Sequence, residues 1–196
     1  NEQYGLGLEG LGYYKVLNEM FDVMLRGDIY SYGGWRATLT PTYRKRYRYA
    51  GRLNLAVQHT RILSNDPAKE YEVNKSFNIQ WSHSVDPKAH PGQSFQASVN
   101  AGSTQFNKYN GSNPTVNFNN QLYSSITYTK NWDNKFNLSL SAGHNQNSNT
   151  REVQIRLPDG SFTVNNFYPF QQKEFVGEAK WYEKLGIGLN TQFRNQ

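Results

Sequence analysis

The stretch "FDVMLRGDIYSYGGWRATL", residues 21–39, decides the fold through the parity of its side chains. Phe21, Val23, Leu25 and Ile29 fall on odd positions, whereas Asp22, Arg26 and Asp28 fall on even ones. Successive side chains of a β-strand point to opposite faces, so this is a strand with one apolar and one wet face. After Ser31-Tyr32-Gly33-Gly34 the alternation restarts, with Trp35, Ala37 and Leu39 set against Arg36, Thr38 and Thr40, which makes the whole stretch a hairpin. A soluble sheet turns its apolar face onto a core. A membrane barrel turns it onto lipid and keeps its charges inside.

Composition weighs on that choice. Only 36% of the 196 residues are hydrophobic, yet 15% are aromatic, with 14 Tyr and 11 Phe. Disordered chains share the low hydrophobicity but are poor in aromatic and β-branched residues. A wide barrel lowers mean hydropathy without losing its fold, because only alternate residues meet lipid. With no cysteine there is neither a disulfide framework nor a thiolate metal site. No apolar run reaches the roughly 18 residues of a membrane helix. No basic-then-apolar leader opens the sequence, as expected of a mature chain or a portion of one. The net charge of +6 is compatible with polyanion binding or with a solvated surface.

Period-two matching yields about ten strands along the chain. Arg52 to Arg61 sets Leu53, Leu55 and Val57 against Asn54, Ala56 and Gln58. Phe77 to Ser84 sets Phe77, Ile79 and Trp81 against Asn78, Gln80 and Ser82, and Gln93 to Ser103 alternates throughout. Leu122, Ile126 and Tyr128 mark the next strand, followed by Phe136, Leu138, Leu140 and Ala142 after a turn at Asn131 to Lys135. Val153, Ile155 and Leu157 mark another, and Leu185, Ile187, Leu189 and Phe193 the last. Tyr13, Tyr14, Tyr30, Tyr32, Trp35, Tyr47, Tyr49, Trp81, Tyr128 and Trp132 fall at or near strand ends, where a membrane interface places amphipathic rings. Leu17 to Met20, Ser31 to Gly34 and Asn131 to Lys135 read as tight turns; Ile62 to Asn74, Gln105 to Val116 and Pro158 to Glu183 read as long polar loops.

No catalytic constellation emerges. His59, His83, His90 and His144 have no metal-ligand spacing, and there is no GxSxG or P-loop motif. "GLGLEGLG", residues 5–12, has glycine spacing but no preceding strand or following helix to make it a phosphate loop, and reads as glycines within a strand. Asp22 and Asp28 share a face with arginines and are not isolated for acid–base work. The expectation is a non-enzyme without metal or cofactor. The densest basic run, Arg44-Lys45-Arg46-Tyr47-Arg48, placed at a hairpin turn, suits either phosphate contact or solvent; nucleic acid is not expected as a partner.

Three stretches together resemble one family. "GLGYYKVLNEMFDVMLRGDIYSYGGWRATLTPTYRKRYRYAG" (10–51) resembles the opening barrel hairpins of the LptD family, the lipopolysaccharide-assembly or organic solvent tolerance proteins of the outer membrane. "FNIQWSHSVDPKAHPGQSFQASVN" (77–100), then "FTVNNFYPFQQKE" (162–174) with "KWYEKLGIGLNTQFRN" (180–195), resemble later segments of that barrel in the same order. The resemblance implies an antiparallel transmembrane β-barrel in a Gram-negative outer membrane. It receives lipopolysaccharide from periplasmic Lpt bridge proteins and releases it sideways into the outer leaflet, with an LptE-like lipoprotein plugging the lumen. The chain then supplies about ten strands of a wider barrel, residues 1–196 being part of one barrel domain, without the family's periplasmic jellyroll and remaining strands.

Within that frame Val23, Leu25, Phe77, Ile79, Val99, Leu138 and Leu140 are expected to face lipid, and Arg26, Arg36, Arg52 and Arg156 to face the lumen and meet lipopolysaccharide phosphates. The family often carries prolines in its first two strands, and Leu6 to Tyr30 has none. Gly5, Gly7, Gly10, Gly12 and Gly27 are expected to loosen a lateral-gate strand instead. Two readings stay open beside this one: a soluble β-sandwich or jellyroll binding module, and an outer-membrane barrel with another transport function.

Overall fold

The computed structural model describes residues 4–106, 121–171 and 180–195. They form ten antiparallel strands in one sheet, each hydrogen-bonded to the next in chain order. The strands are β1 (Gly7–Asn18), β2 (Phe21–Tyr30), β3 (Trp35–Lys45), β4 (Tyr49–Leu63), β5 (Tyr71–Val85), β6 (Gln93–Gly102), β7 (Gln121–Trp132), β8 (Phe136–Asn147), β9 (Glu152–Phe167) and β10 (Ile187–Arg194). One 3-10 turn, Trp181–Lys184, precedes β10. β1 and β10 do not pair with each other, so the sheet is open, with two free edges among the described residues.

The opening hairpin forms as expected, and its register pairs Leu25 with Leu39, Gly27 with Ala37 and Asp28 with Arg36. Glycine is required at its turn, where Gly33 has a φ of +92°. β4 and β5 form the longest ladder, uninterrupted from Tyr49–Val85 to Leu63–Tyr71. Pro41 has no N–H to give the ladder. Between Leu39–Leu55 and Thr42–Arg52 two β3–β4 pairs are missing, and there the Thr40 hydroxyl donates to Asn54 Oδ1 at 2.8 Å.

Three expectations about the connections need correction. The Ile62 to Asn74 loop shortens to 64–70, because β4 runs to Leu63 and β5 starts at Tyr71. Pro158 to Glu183 is not one loop, since β9 runs on to Phe167. It does so through a bulge in which the register slips between Ser141–Asp159 and Gly143–Arg156, and a bulge is where a strand accommodates proline. Of that expected loop 172–179 lie outside the described residues, as do 107–116 of the expected Gln105 to Val116 loop. Turn length also fails to sort the two ends of the sheet. The turns after β1, β3, β5 and β7 share one end, here called lower, whereas the tight Ser31–Gly34 turn lies at the upper end with the 64–70 loop.

The sheet is inverted relative to a soluble domain. Gln58 is 1% exposed and Asn78 4%, with Thr40, Thr60, Ser76 and Gln146 also buried. Leu25 is 47% exposed, Leu39 39% and Phe77 49%. No helix among the described residues is long and apolar enough to cross a membrane.

The glycines of the first hairpin divide by cause. Gly5 and Gly10 have φ near +76°, and Gly10 sits in the β1 bulge, donating its N–H to Asp28 Oδ1 at 2.8 Å. Gly7 lies under the Tyr30 ring, 2.8 Å from where a Cβ would stand. Gly12 and Gly27 have room for one, with nearest atoms at 3.7 and 3.8 Å. Gly12→Ala and Gly27→Ala are therefore expected to stabilise β1–β2 by about 0.5–1 kcal/mol each. Urea titration checks this, and a loss of stability at both positions contradicts it.

Candidate functional site

The register gathers the chemistry onto two opposite faces. On the apolar face one row runs Tyr13, Leu25, Leu39, Leu55, Ile79 and Ala101 across six strands. Val23 and Val99 lie one row below it with Leu53 and Trp81, and Phe77 one row above with Val57. Leu138 and Leu140 lie on the same face of β8, opposite Lys130 and Tyr128. All seven expected apolar-face residues thus share one side of the sheet.

Aromatic rings bound that face. At its lower end Tyr43 and Tyr49 lie 5.7 and 6.0 Å from the His83 ring, Phe21 lies 6.1 Å from Tyr43, and Phe95 lies 5.5 Å from His83. Trp81 Nε1–H donates to the Tyr43 hydroxyl at 2.9 Å, and that hydroxyl lies 2.8 Å from His83 Nδ1. An indole only donates, so the Tyr43 oxygen accepts there and has its own proton to give to His83. At the upper end Trp35 stacks on His59 at 6.3 Å, and Arg61 lies over Tyr71 at 4.2 Å. Along β3, Trp35 to Tyr43 spans about 27 Å at ~3.4 Å per residue, about 20 Å once tilted as barrel strands are, near the height of an outer-membrane apolar band.

The ring expectation is corrected in part. Tyr13 sits at mid-height opposite Leu25. Tyr14 and Tyr30 are on the polar parity, Tyr30 donating to Glu9 Oε1 at 2.8 Å. The tryptophan and tyrosine content singled out the other rings; His83 and Phe95 were legible only through parity.

The polar face is a hydrogen-bonded ladder of short side chains. Asn78 Nδ2–H donates to Asn100 Oδ1 at 3.1 Å, Ser94 and Thr129 share a hydrogen bond of 2.6 Å, and Asn131 donates to Asn137 at 2.6 Å. All four expected arginines lie on it, but they do not form one cluster. Arg26 faces Thr38, and Arg36 faces Asp28 on one side and Gln58 on the other. Arg36 donates to Gln58 Oε1 through Nε at 3.2 Å and Nη2 at 2.8 Å, while Gln58 donates to the Phe106 carbonyl at 2.9 Å. The Phe106 ring lies 6.0 Å from the Arg36 guanidinium. Nothing in the local sequence linked Phe106 to this buried amide.

Arg52 and Arg156 stand in one cross-strand row, separated by Ser82, Ser98, Ser125 and Gly143. Arg156 reaches over Gly143, its Nη2 3.4 Å from where a Cβ would stand. Arg52, Asn54, Gln80, Ser82, Ser98 and Asn100 line an open groove of about 510 Å³. Guanidinium, amide and hydroxyl groups in one groove match the donors and acceptors of sugars and phosphates. Arg26, Arg52 and Arg156 make no ion pair among the described residues, whereas Arg194 pairs with Asp159 at 3.4 Å.

At the first hairpin the polar parity gains an apolar patch: Tyr14 pairs with Met24, with Val16 beside them opposite Asp22. Tyr14 and Val16 are more than half exposed, as are Leu8 and Tyr13 on the opposite face.

An antiparallel sheet that buries amides and hydroxyls while exposing a ring-bounded apolar band has the pattern of an outer-membrane β-barrel wall. A family model described as LptD protein matches residues 1–196, and the chain belongs to the LptD family. That family is one of outer-membrane transport proteins of Gram-negative bacteria acting in lipopolysaccharide transport, not a family of enzymes. No curated protein and no solved structure matches the chain.

Proposed function

We propose that this chain is one arc of an outer-membrane translocon that inserts lipopolysaccharide into the outer leaflet by lateral release. The apolar face meets lipid. The polar face lines the lumen, where Arg26, Arg36, Arg52 and Arg156 steer phosphates and core sugars, since fixed charges act more strongly in a confined passage than on open surface. Unpaired strand edges are not sustained in hydrocarbon, so further strands close the two free edges of the sheet. Periplasmic bridge proteins deliver the substrate and an LptE-like lipoprotein fills the lumen.

The observation that carries this reading is the apolar patch of Tyr14, Val16 and Met24 on the otherwise polar face of the first hairpin, backed by Tyr13, Val23 and Leu25 on the other face. Lipopolysaccharide has acyl chains that must pass from lumen to leaflet, and an apolar patch at the edge of the lumen face offers them a place to start. The same hairpin is weakly held, because its ladder is broken between Leu8 and Leu11 and again between Val16 and Asn18. An edge hairpin held this loosely bends away from the closing strand more readily than one braced by a ladder as unbroken as β4–β5. A soluble sandwich needs a second layer over the leucines, and among the described residues there is one sheet.

The test uses a cysteine at Leu11 or Tyr13 and a second in the closing strand of the full-length barrel. Locking the two by a disulfide is expected to stop lipopolysaccharide reaching the cell surface, with reductant restoring it. Unimpaired delivery with complete cross-linking sinks the lateral-exit reading.

A further inference from the structure

Below the lower ring belt the β3–β4 turn concentrates Arg44, Lys45, Arg46 and Arg48 around Tyr47. The turn closes through the Arg48 N–H donating to the Lys45 carbonyl at 3.0 Å, and Tyr47 takes a φ of +59°. Bulky residues rarely adopt that conformation, yet here it leaves the Tyr47 ring 78% exposed. The Asp86 N–H donates to the Arg48 carbonyl at 2.8 Å, which ties this turn to the β5–β6 connection. Between them lies a groove of about 450 Å³, lined by the four cations, Tyr47 and Tyr49 among others. Asp86 is the carboxylate facing them, and its Oδ1 already accepts from the Lys88 N–H at 2.9 Å. None of the four cations makes an ion pair among the described residues.

Position decides what such a groove holds. Tyr43 and Tyr49 belong to the ring belt, and the centre of the turn is two to four residues further on, about 7–13 Å along the strand. The polar zone of a bilayer begins just beyond the hydrocarbon boundary and extends over a comparable depth. We infer that this groove binds the headgroup phosphate of an anionic phospholipid in the leaflet at the lower end, with Tyr43 and Tyr49 against its acyl chains. Lys45, on the parity of Tyr43 and Tyr49, and Arg46 and Arg48 of the turn supply the charge attraction, and the outward Tyr47 ring anchors at the interface. Arginine suits phosphate because its planar fork donates two hydrogen bonds at once. This inference rests on the reading of the apolar face as lipid-facing.

Tryptophan quenching by brominated lipid tests it, because Trp81 is hydrogen-bonded to Tyr43 in the belt. The full-length protein is placed in phosphatidylcholine nanodiscs in which a minor fraction of the lipid is either brominated phosphatidylglycerol or brominated phosphatidylcholine. A phosphatidylglycerol preference of about fivefold or more is expected, on the scale of one lysine or arginine contact at a membrane surface. Neutralising the turn as R44Q/K45Q/R46Q/R48Q is expected to abolish the preference, whereas R44K/R46K/R48K keeps most of it and controls for folding. Equal quenching by both lipids, or an unchanged preference in the neutralised variant, overturns the inference. Displacement of the brominated lipid by inorganic phosphate at millimolar concentration also overturns it, by making the groove a free-anion site. Absence of quenching by either lipid instead overturns the lipid-facing reading on which the inference depends.

Discussion

Leu39→Arg in the assembled barrel is expected to cost about 2–4 kcal/mol, and Thr38→Arg on the other face of the same strand far less. Leu39 lies midway along β3 between Trp35 and Tyr43, and it shares its row with Leu25, Leu55 and Ile79. Each of those side chains lies on the ring-bounded face, and under the proposed function an arginine there is taken out of water into hydrocarbon with no counter-charge in its row. The penalty falls towards the interfaces, because a long side chain near the boundary reaches the headgroups. Ile79→Arg is expected to match Leu39→Arg, and arginine at Tyr43 to cost less as a charge, although it removes a ring. Urea titration of the barrel folded in lipid vesicles measures the difference. Equal tolerance on the two parities would contradict a membrane-facing sheet and restore the soluble module.

The second large effect is expected from Gly51→Val. Gly51 pairs with Tyr43 on β3 and with His83 on β5, and the Tyr43 ring lies over it, in the space a Cβ would occupy. A branched side chain there displaces that ring, at the cost of about 1–3 kcal/mol usual for overpacking. It also separates the Tyr43 hydroxyl from Trp81 Nε1 and His83 Nδ1, which leaves two polar groups without partners at the edge of the apolar band. Tyr43→Phe separates the two contributions, since it keeps the ring and removes only the hydroxyl, and is expected to cost about 1 kcal/mol. Unfolding followed by tryptophan fluorescence reads both variants. A Gly51→Val protein as stable as the parent would show that the ring set does not hold the lower belt.

Alternation along single strands determined much of this protein before any coordinate. Phe21 to Leu39 specified a hairpin with one apolar and one wet face, and the same arithmetic gave about ten strands, nine of them through named residues, though Leu185 falls before β10, at the end of the turn that precedes it. A strand's side-chain period is two whatever its neighbours do, so parity is a local property and survives without tertiary information. The resemblance to the LptD family was likewise carried by residues alone, and the match over 1–196 agrees with it.

Register, by contrast, belongs to pairs of strands, and no single strand contains it. Only the pairing showed that Arg52 and Arg156 end one row across Ser82, Ser98 and Ser125, while Arg36 is held apart by Gln58. The five glycines of the first hairpin looked alike in sequence; backbone angles and neighbouring rings divided them into Gly5 and Gly10, which turn the chain, Gly7, which lies beneath Tyr30, and Gly12 and Gly27, which leave space. Pro158 ended a strand on local grounds, yet β9 passes through it because a bulge absorbs the irregularity within the ladder of its neighbour. That the assembled strands leave leucines exposed and bury amides was likewise decided only by their packing together.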